Sequence, residues 1–311
     1  MKKAPLLGVA MVIGISASLN SFAAKLGDAA APLAIKDWVK GKAVDVKDGK
    51  NLYVVEFWAT WCGPCRTSIP HLTELQKKFK DKGVVFVGVS DEPADKVKPF
   101  VEKMGDKMDY VVACDEDRKT SEGYMAAYGQ GGIPTAFIVG KDGKVMWFGH
   151  PMSELEETIQ AVLDGKYDLA AAAKRDELRA SIDEYQKLSA AGDAKAAKLG
   201  REVLKGVGDD PEALEQFAFS IAANGRNEHR DFALANEALD LAEKKAGKND
   251  ARLVSIRAIA VFESGKQEEG IALAKKAVEL AKDEGQKSTY ERYVRVMESR
   301  LKAKGEKKES K

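Results

Sequence analysis

The chain has 311 residues, with 50 Lys and Arg against 49 Asp and Glu, for a formal net charge of +1. That length accommodates a sizeable core and two domains. The near-neutral balance, with no strongly basic half, excludes nucleic acid as an implied partner. Hydrophobic residues at 44% and charged residues at 32% fit a helix-rich globular protein.

In chain order, Lys2 and Lys3 precede an uncharged apolar run from Leu6 to Ala17, and Ser21-Phe22-Ala23 has the small residues that signal peptidase requires. The run is shorter than the ~20 residues that span a bilayer. Residues 1–23 read as a secretory signal peptide cut after Ala23; the alternative is a retained N-terminal anchor facing the periplasm. No cysteine lies near the cut, which argues against a lipoprotein. The leader has a bacterial character, so the expected compartment is the periplasm, where disulfides persist.

Residues 24–46 carry few signals. Leu52 to Trp58 is a β-rich apolar run that predicts a buried strand. A helix is expected from Cys62 to about Phe79, with Ile69, Leu72, Leu75 and Phe79 on one face and a kink at Pro70. Val84 to Val89 predicts a second buried strand and Asp91 to Lys103 a helix. A short extended piece follows at Tyr110 to Ala113, then a small helix near Thr120 to Tyr128. Thr135 to Val139 and Val145 to Phe148 predict two strands joined at Asp142-Gly143, a strong hairpin signal. Ser153 and Glu156 read as a capping box that starts a helix through Leu163. Two strands joined by a helix should be parallel with a right-handed crossover. The expected fold for residues 24–168 is α/β, a central sheet with helices on both faces.

From residue 169 the strand signal stops, tryptophan is absent, and Ala, Lys, Glu and Leu dominate up to Leu301. Helical stripes include Leu178, Ile182, Tyr185 and Leu188, then Leu214, Phe217 and Ile221 behind the cap Asp210-Pro211. A weak repeat with glycines at Gly192, Gly225 and Gly265 brackets the ~34-residue period of tetratricopeptide repeats. Residues 169–301 therefore read as an all-α, TPR-like domain, with a plain bundle as the alternative. Residues 302–311 read as a charged, irregular tail.

Two of the three cysteines form Cys62-Gly63-Pro64-Cys65. A structural zinc site needs four ligands. Beyond the pair the chain offers Cys114, His71, His150 and His229, without a second matching spacing. A structural crosslink would close a tiny loop and remove little chain entropy. The redox reading accounts for the context: the pair follows a buried strand and opens a helix. Its first cysteine then meets the unpaired N–H groups and the positive end of the helix dipole, which favour a thiolate. Cys62 is the expected nucleophile, and Cys65, one turn in and less exposed, the resolving thiol. Gly63 and Pro64 shape the short loop. Glu56, an acid in an apolar strand, is either a proton acceptor for Cys65 or an edge residue facing solvent. Pro134, in Gly132-Ile133-Pro134-Thr135, is plausible as a cis turn beside the dithiol, leaving free backbone groups for an extended client segment. Trp61 packs or shields Cys62.

Together, "FWATWCGPC", Pro70, and "GGIPTAFIV" before "KDGK" resemble the thioredoxin superfamily, and within it the exported TlpA-like thiol–disulfide oxidoreductases. The resemblance covers roughly residues 31–168. It implies thiol–disulfide exchange with protein clients and no bound cofactor. It also implies Cys62 as attacking thiol, Cys65 as resolving thiol, Glu56 as buried acid and Pro134 as cis proline. The helical extension departs from the many TlpA-like proteins that stop after this domain. That puts the family's usual clients in doubt.

The leading expectation is a periplasmic protein-disulfide reductase, since Gly-Pro between the cysteines matches reducing thioredoxins; a membrane electron donor would then be required. A redoxin-type peroxidase fits less well, because Ala59 stands where that chemistry wants Thr or Ser. The remaining alternative is an interaction protein whose helical repeats bind a partner and whose redox domain is a sensor or anchor. Cys114 reads as a buried, inert thiol, with a regulatory thiol as the alternative.

Overall fold

A computed structural model describes residues 24–208, 210–247 and 249–309. The expected signal peptide lies outside the described residues. The chain forms two compact units that divide between Ala170 and Ala171.

The first unit is built on a six-stranded sheet, in the order β1-β4-β3-β2-β5-β6. The strands are β1 (Ile35–Lys40), β2 (Leu52–Phe57), β3 (Val84–Ser90), β4 (Val111–Asp115), β5 (Thr135–Val139) and β6 (Val145–Gly149). β2 pairs in parallel with β3, and β3 with β4; β5 runs antiparallel to β2, β6 to β5, and β1 to β4. β1 was not expected from the sequence. It is an edge strand, IKDWVK, mostly half-buried, whose three charged residues break the apolar pattern that marks the buried strands.

The alternation along β2 divides the core. Leu52, Val54 and Trp58 pack with α1 (Gly63–Phe79), α2 (Ala94–Met104) and α4 (Leu155–Leu163). Tyr53, Val55 and Phe57 pack on the other face with Tyr124, Met125 and Tyr128. These belong to the segment after β4, where α3 (Lys119–Ser121) runs into a π-helical turn, Glu122–Ala126. Phe137 of β5 anchors that face, with ring centroids 5.2–5.7 Å from Tyr124, Tyr128, Phe57 and Phe148. The first face therefore carries the residues of even register, and Glu56 is one of them.

The expected capping box does not form. Glu154 occupies the N-cap of α4 and makes no side-chain cap bond. Ser153 N–H instead donates to the His150 carbonyl, which places this serine in the preceding turn.

The second unit holds α5 (Leu169–Ala190) from its third residue on, α6 (Lys195–Val207), α7 (Pro211–Ala222), α8 (Phe232–Ala246), α9 (Ala251–Glu263), α10 (Gln267–Glu279) and α11 (Glu284–Glu309). Asp210, Asp231 and Asp250 accept main-chain N–H bonds at the starts of α7, α8 and α9. The predicted stripe residues Tyr185, Leu214, Phe217 and Ile221 face inward in one cluster, and Ile271, Ala274 and Met297 form another. Gly192 and Gly265 take positive φ in the turns after α5 and α9. The tail departs from expectation. α11 continues to Glu309, because Lys, Glu and Ala are good helix formers and extend a helix already nucleated by packing.

Candidate active site

The dithiol motif sits where β2 ends and α1 begins. Beyond Phe57 the chain stays tied to β3, with Trp58 N–H donating to the Val89 carbonyl at 3.2 Å. Thr60 is then held on all its polar groups. Glu92 accepts from its N–H at 2.5 Å and from its hydroxyl at 2.9 Å. Arg66 donates to its carbonyl from Nε at 3.1 Å and Nη2 at 2.7 Å. Arg66 in turn lies over the Phe100 ring, which packs against Trp58. The loop that presents Trp61 and Cys62 is thereby fixed from β3's end and from α1.

Cys62 is the N-cap of α1, with φ −76° and ψ 108°, and its Sγ accepts the Cys65 N–H at 3.2 Å. Gly63 and Pro64 form the exposed first turn, where a missing N–H costs nothing. Cys62 and Cys65 are joined in a disulfide with S–S 2.05 Å and Cα–Cα 5.3 Å. Cys62 is 4% exposed and Cys65 fully buried. Trp61, 68% exposed, stands beside them as the most open large side chain of this region.

The Ile133–Pro134 peptide is cis, and Pro134 is buried. The Ile133 carbonyl oxygen lies 3.7 Å from Cys62 Sγ. A groove of about 250 Å³ opens alongside, lined by Trp61, Gly132, Ile133 and Met125, with Asp91 and Arg118 among its charged residues. Those two form an ion pair at 3.3 Å.

Glu56 does not face solvent. It lies in the middle of the sheet, 1% exposed, opposite Gly88 on one side and Ala136 on the other, two residues small enough to leave space for it. Ser68 Oγ donates to its Oε1 at 3.0 Å and Tyr110 Oη to its Oε2 at 3.1 Å. Burial pushes the carboxyl up to about 8, against the opposing effect of the Ser68 and Tyr110 hydrogen bonds. Tyr110 is itself driven well above the usual phenol range, by burial first and by the Glu56 carboxylate second.

The structure thus brings Cys62, Cys65, Trp61, Gly63, Pro64, Ile133 and Pro134 into one site, and puts Glu56 beneath α1. Ser68, Tyr110, Glu92 and Arg66 were not anticipated. Ser68 left a legible signal, since it lies on the same helical face as Cys65, Ile69 and Leu72, where a polar residue needs a partner. Tyr110 and Glu92 left none, because their positions depend on how separate strands end. Cys114 lies on β4, buried, and its thiol is pushed up to about 11 by burial and by Asp37, as an inert thiol should be.

Comparison with known proteins places relatives on this first unit. Residues 26–148 match the AhpC/TSA family. The thiol-disulfide oxidoreductase ResA of Bacillus thuringiensis is 38% identical over 125 residues, covering 39% of this chain and 68% of that protein. ResA of Geobacillus kaustophilus is 32% identical over 152 residues, covering 47% of this chain and 83% of that protein. Among solved structures, a thiol:disulfide interchange protein of the thioredoxin family from Chlorobium tepidum is 26% identical; the match covers 44% of this chain and 97% of that one, with a TM-score of 0.38.

Proposed function

The chain belongs to the ResA-like thiol–disulfide oxidoreductases of the AhpC/TSA family, and on that premise we propose that it is an exported protein-disulfide reductase. The observation that carries the reading is Cys62 at the N-cap of α1, with a main-chain N–H aimed at its sulfur and its partner cysteine one turn below. An N-cap sulfur in that position is stabilised as thiolate by the helix dipole and by the hydrogen bond.

The Cys62 thiolate attacks a client disulfide. One client S–S bond breaks, a Cys62–client mixed disulfide forms, and the departing client sulfur takes a proton from water. Cys65 then loses its proton to the Glu56 carboxylate and attacks Cys62 Sγ. The mixed disulfide breaks and the second client thiol leaves, so two electrons pass from the dithiol to the client. Burial of Glu56 supports its role as proton acceptor, since its affinity for a proton lies near that of a thiol. The groove beside Ile133 supports an extended client segment lying across Trp61 and Gly132. Repeated turnover needs an electron donor at the membrane. Export is supported by the leader-like residues 1–23. The helical unit, read as TPR-like, selects the clients.

Insulin reduction by the full-length protein with dithiothreitol tests the proposal. Cys62→Ser abolishes turnover, while Cys65→Ser accumulates clients as mixed disulfides. Equal turnover by wild type and Cys62→Ser would remove the reading.

A further inference from the structure

Ser68 carries one hydroxyl proton and faces two acceptors. Its Oγ lies 3.0 Å from Glu56 Oε1 and 3.1 Å from the carbonyl oxygen of Cys65, and the side chain is fully buried. A hydroxyl donates one hydrogen bond at a time and accepts up to two. With Glu56 ionised, Ser68 must donate to Oε1 and leave the Cys65 carbonyl. With Glu56 protonated on Oε1, the carboxyl donates to Ser68 Oγ, and Ser68 donates to the Cys65 carbonyl. Both contacts are then satisfied at once, in a chain that runs from Glu56 through Ser68 to the main chain of Cys65. A serine bonded to a carbonyl in its own preceding turn is ordinary in a helix. The second partner, a buried acid on the neighbouring strand, is not.

The surroundings of Glu56 leave this coupling little competition. β3 offers Gly88, β5 offers Ala136, α1 offers Ser68, and the residue before β4 is Tyr110. Tyr110 Oη bonds to Oε2 at 3.1 Å, so it holds the opposite oxygen. Among the described residues no cation forms an ion pair with Glu56.

We propose that Ser68 is a positioning residue for disulfide exchange, whose single hydroxyl proton couples the protonation state of Glu56 to the turn of α1 that carries Cys65. This rests on the reading that Glu56 receives the Cys65 proton, and it goes further by assigning the residue through which that transfer is felt. In the resolving step the Cys65 S–H bond breaks and its proton goes to Glu56 Oε1. The Cys65 sulfur forms the bond to Cys62 Sγ, the Cys62–client bond breaks, and the client sulfur leaves with the electron pair and takes a proton from water. As Oε1 becomes O–H, Ser68 changes from donor to acceptor toward Glu56 and turns its own proton to the Cys65 carbonyl.

The test uses the full-length reduced protein, rapidly mixed with a fluorescent disulfide-linked peptide. Formation and decay of the mixed disulfide are followed separately from pH 5 to 10. In wild type the decay rate rises with the ionisation of Glu56. In Ser68→Ala the carboxylate loses a charge-assisted hydrogen bond, which outweighs the weaker neutral bonds lost by the protonated form, so the midpoint of that rise moves to higher pH. Decay at pH 7 falls by about three- to tenfold, the high-pH plateau is regained, and mixed-disulfide formation is unchanged. Difference infrared spectra of the oxidised protein, referenced to Glu56→Gln, also show the Glu56 C=O stretch displaced in Ser68→Ala. An unmoved midpoint and an unmoved stretch, with only a change in melting temperature, would reduce Ser68 to packing and overturn the proposal. A wild-type midpoint retained in Glu56→Gln would instead overturn the proton-acceptor reading of Glu56, and this inference with it.

Discussion

Replacing Glu56 by Gln should stabilise the first unit at neutral and higher pH, although it removes a proposed catalytic group. The folded chain holds the Glu56 proton up to about pH 8, whereas the ordinary value is 4.5. Between those values the folded state binds more protons than the unfolded state, so stability falls as pH rises. The contribution is complete below about 4.5 and is lost as pH climbs through 8. At ~1.4 kcal/mol per pH unit, the fall between pH 5 and pH 8 is roughly 3 kcal/mol. Gln is neutral at both ends and can still exchange hydrogen bonds with Ser68 and Tyr110. Its stability should therefore show no such slope, and at pH 8 it should exceed wild type by roughly 4 kcal/mol, the whole loss accumulated from the protonated state. The assay is urea unfolding of the oxidised proteins by tryptophan fluorescence. All four tryptophans, Trp38, Trp58, Trp61 and Trp147, belong to the first unit, so the signal reports that unit and not the helices. Parallel pH profiles for wild type and Glu56→Gln would refute the argument, because the burial cost of the carboxylate would then be absent.

Two further outcomes concern the helical unit, read by circular dichroism since it has no tryptophan. Burial alone would raise the Glu263 carboxyl, but hydrogen bonds and charges from Arg300 and Arg230 outweigh it and hold the group below its ordinary 4.5. The stability this supplies is present above that value and lost as pH falls through the lowered one; Glu263→Gln should flatten the acid limb and, by leaving the largely buried Arg230 without its partner, cost about 3 kcal/mol at pH 7. A Cβ on Gly270 of α10 would sit 2.7 Å from the Phe262 nitrogen and 2.8 Å from its Cα in α9. Backbone cannot swing aside as a side chain can, so Gly270→Ala should destabilise by about 2 kcal/mol despite alanine's better helix propensity; an unchanged or raised melting temperature would show that α9 and α10 do not approach this closely.

The chain's local chemistry was sufficient to announce much of this molecule. An apolar strand, a Cys-x-x-Cys motif and an amphipathic helix in succession put the dithiol at a helix N-terminus, because strand and helix periods are local properties. Asp-Gly announced the β5–β6 hairpin, and Asp210-Pro211 announced the start of α7, for the same reason. Other features depended on which distant segments meet. β1 became a strand because β4 offered an open edge, not because its own sequence is apolar. The two readings of Glu56, solvent-facing or buried, were equally consistent with its neighbours in the chain; the choice fell when β3 and β5 enclosed β2 and supplied Gly88 and Ala136 on either side. Its hydrogen-bond partners come from α1 and from the residue before β4, and Thr60 is held by an acid at the end of β3. A proton's affinity for a carboxyl depends on what surrounds it in space, and that surrounding is assembled only when the strands pair.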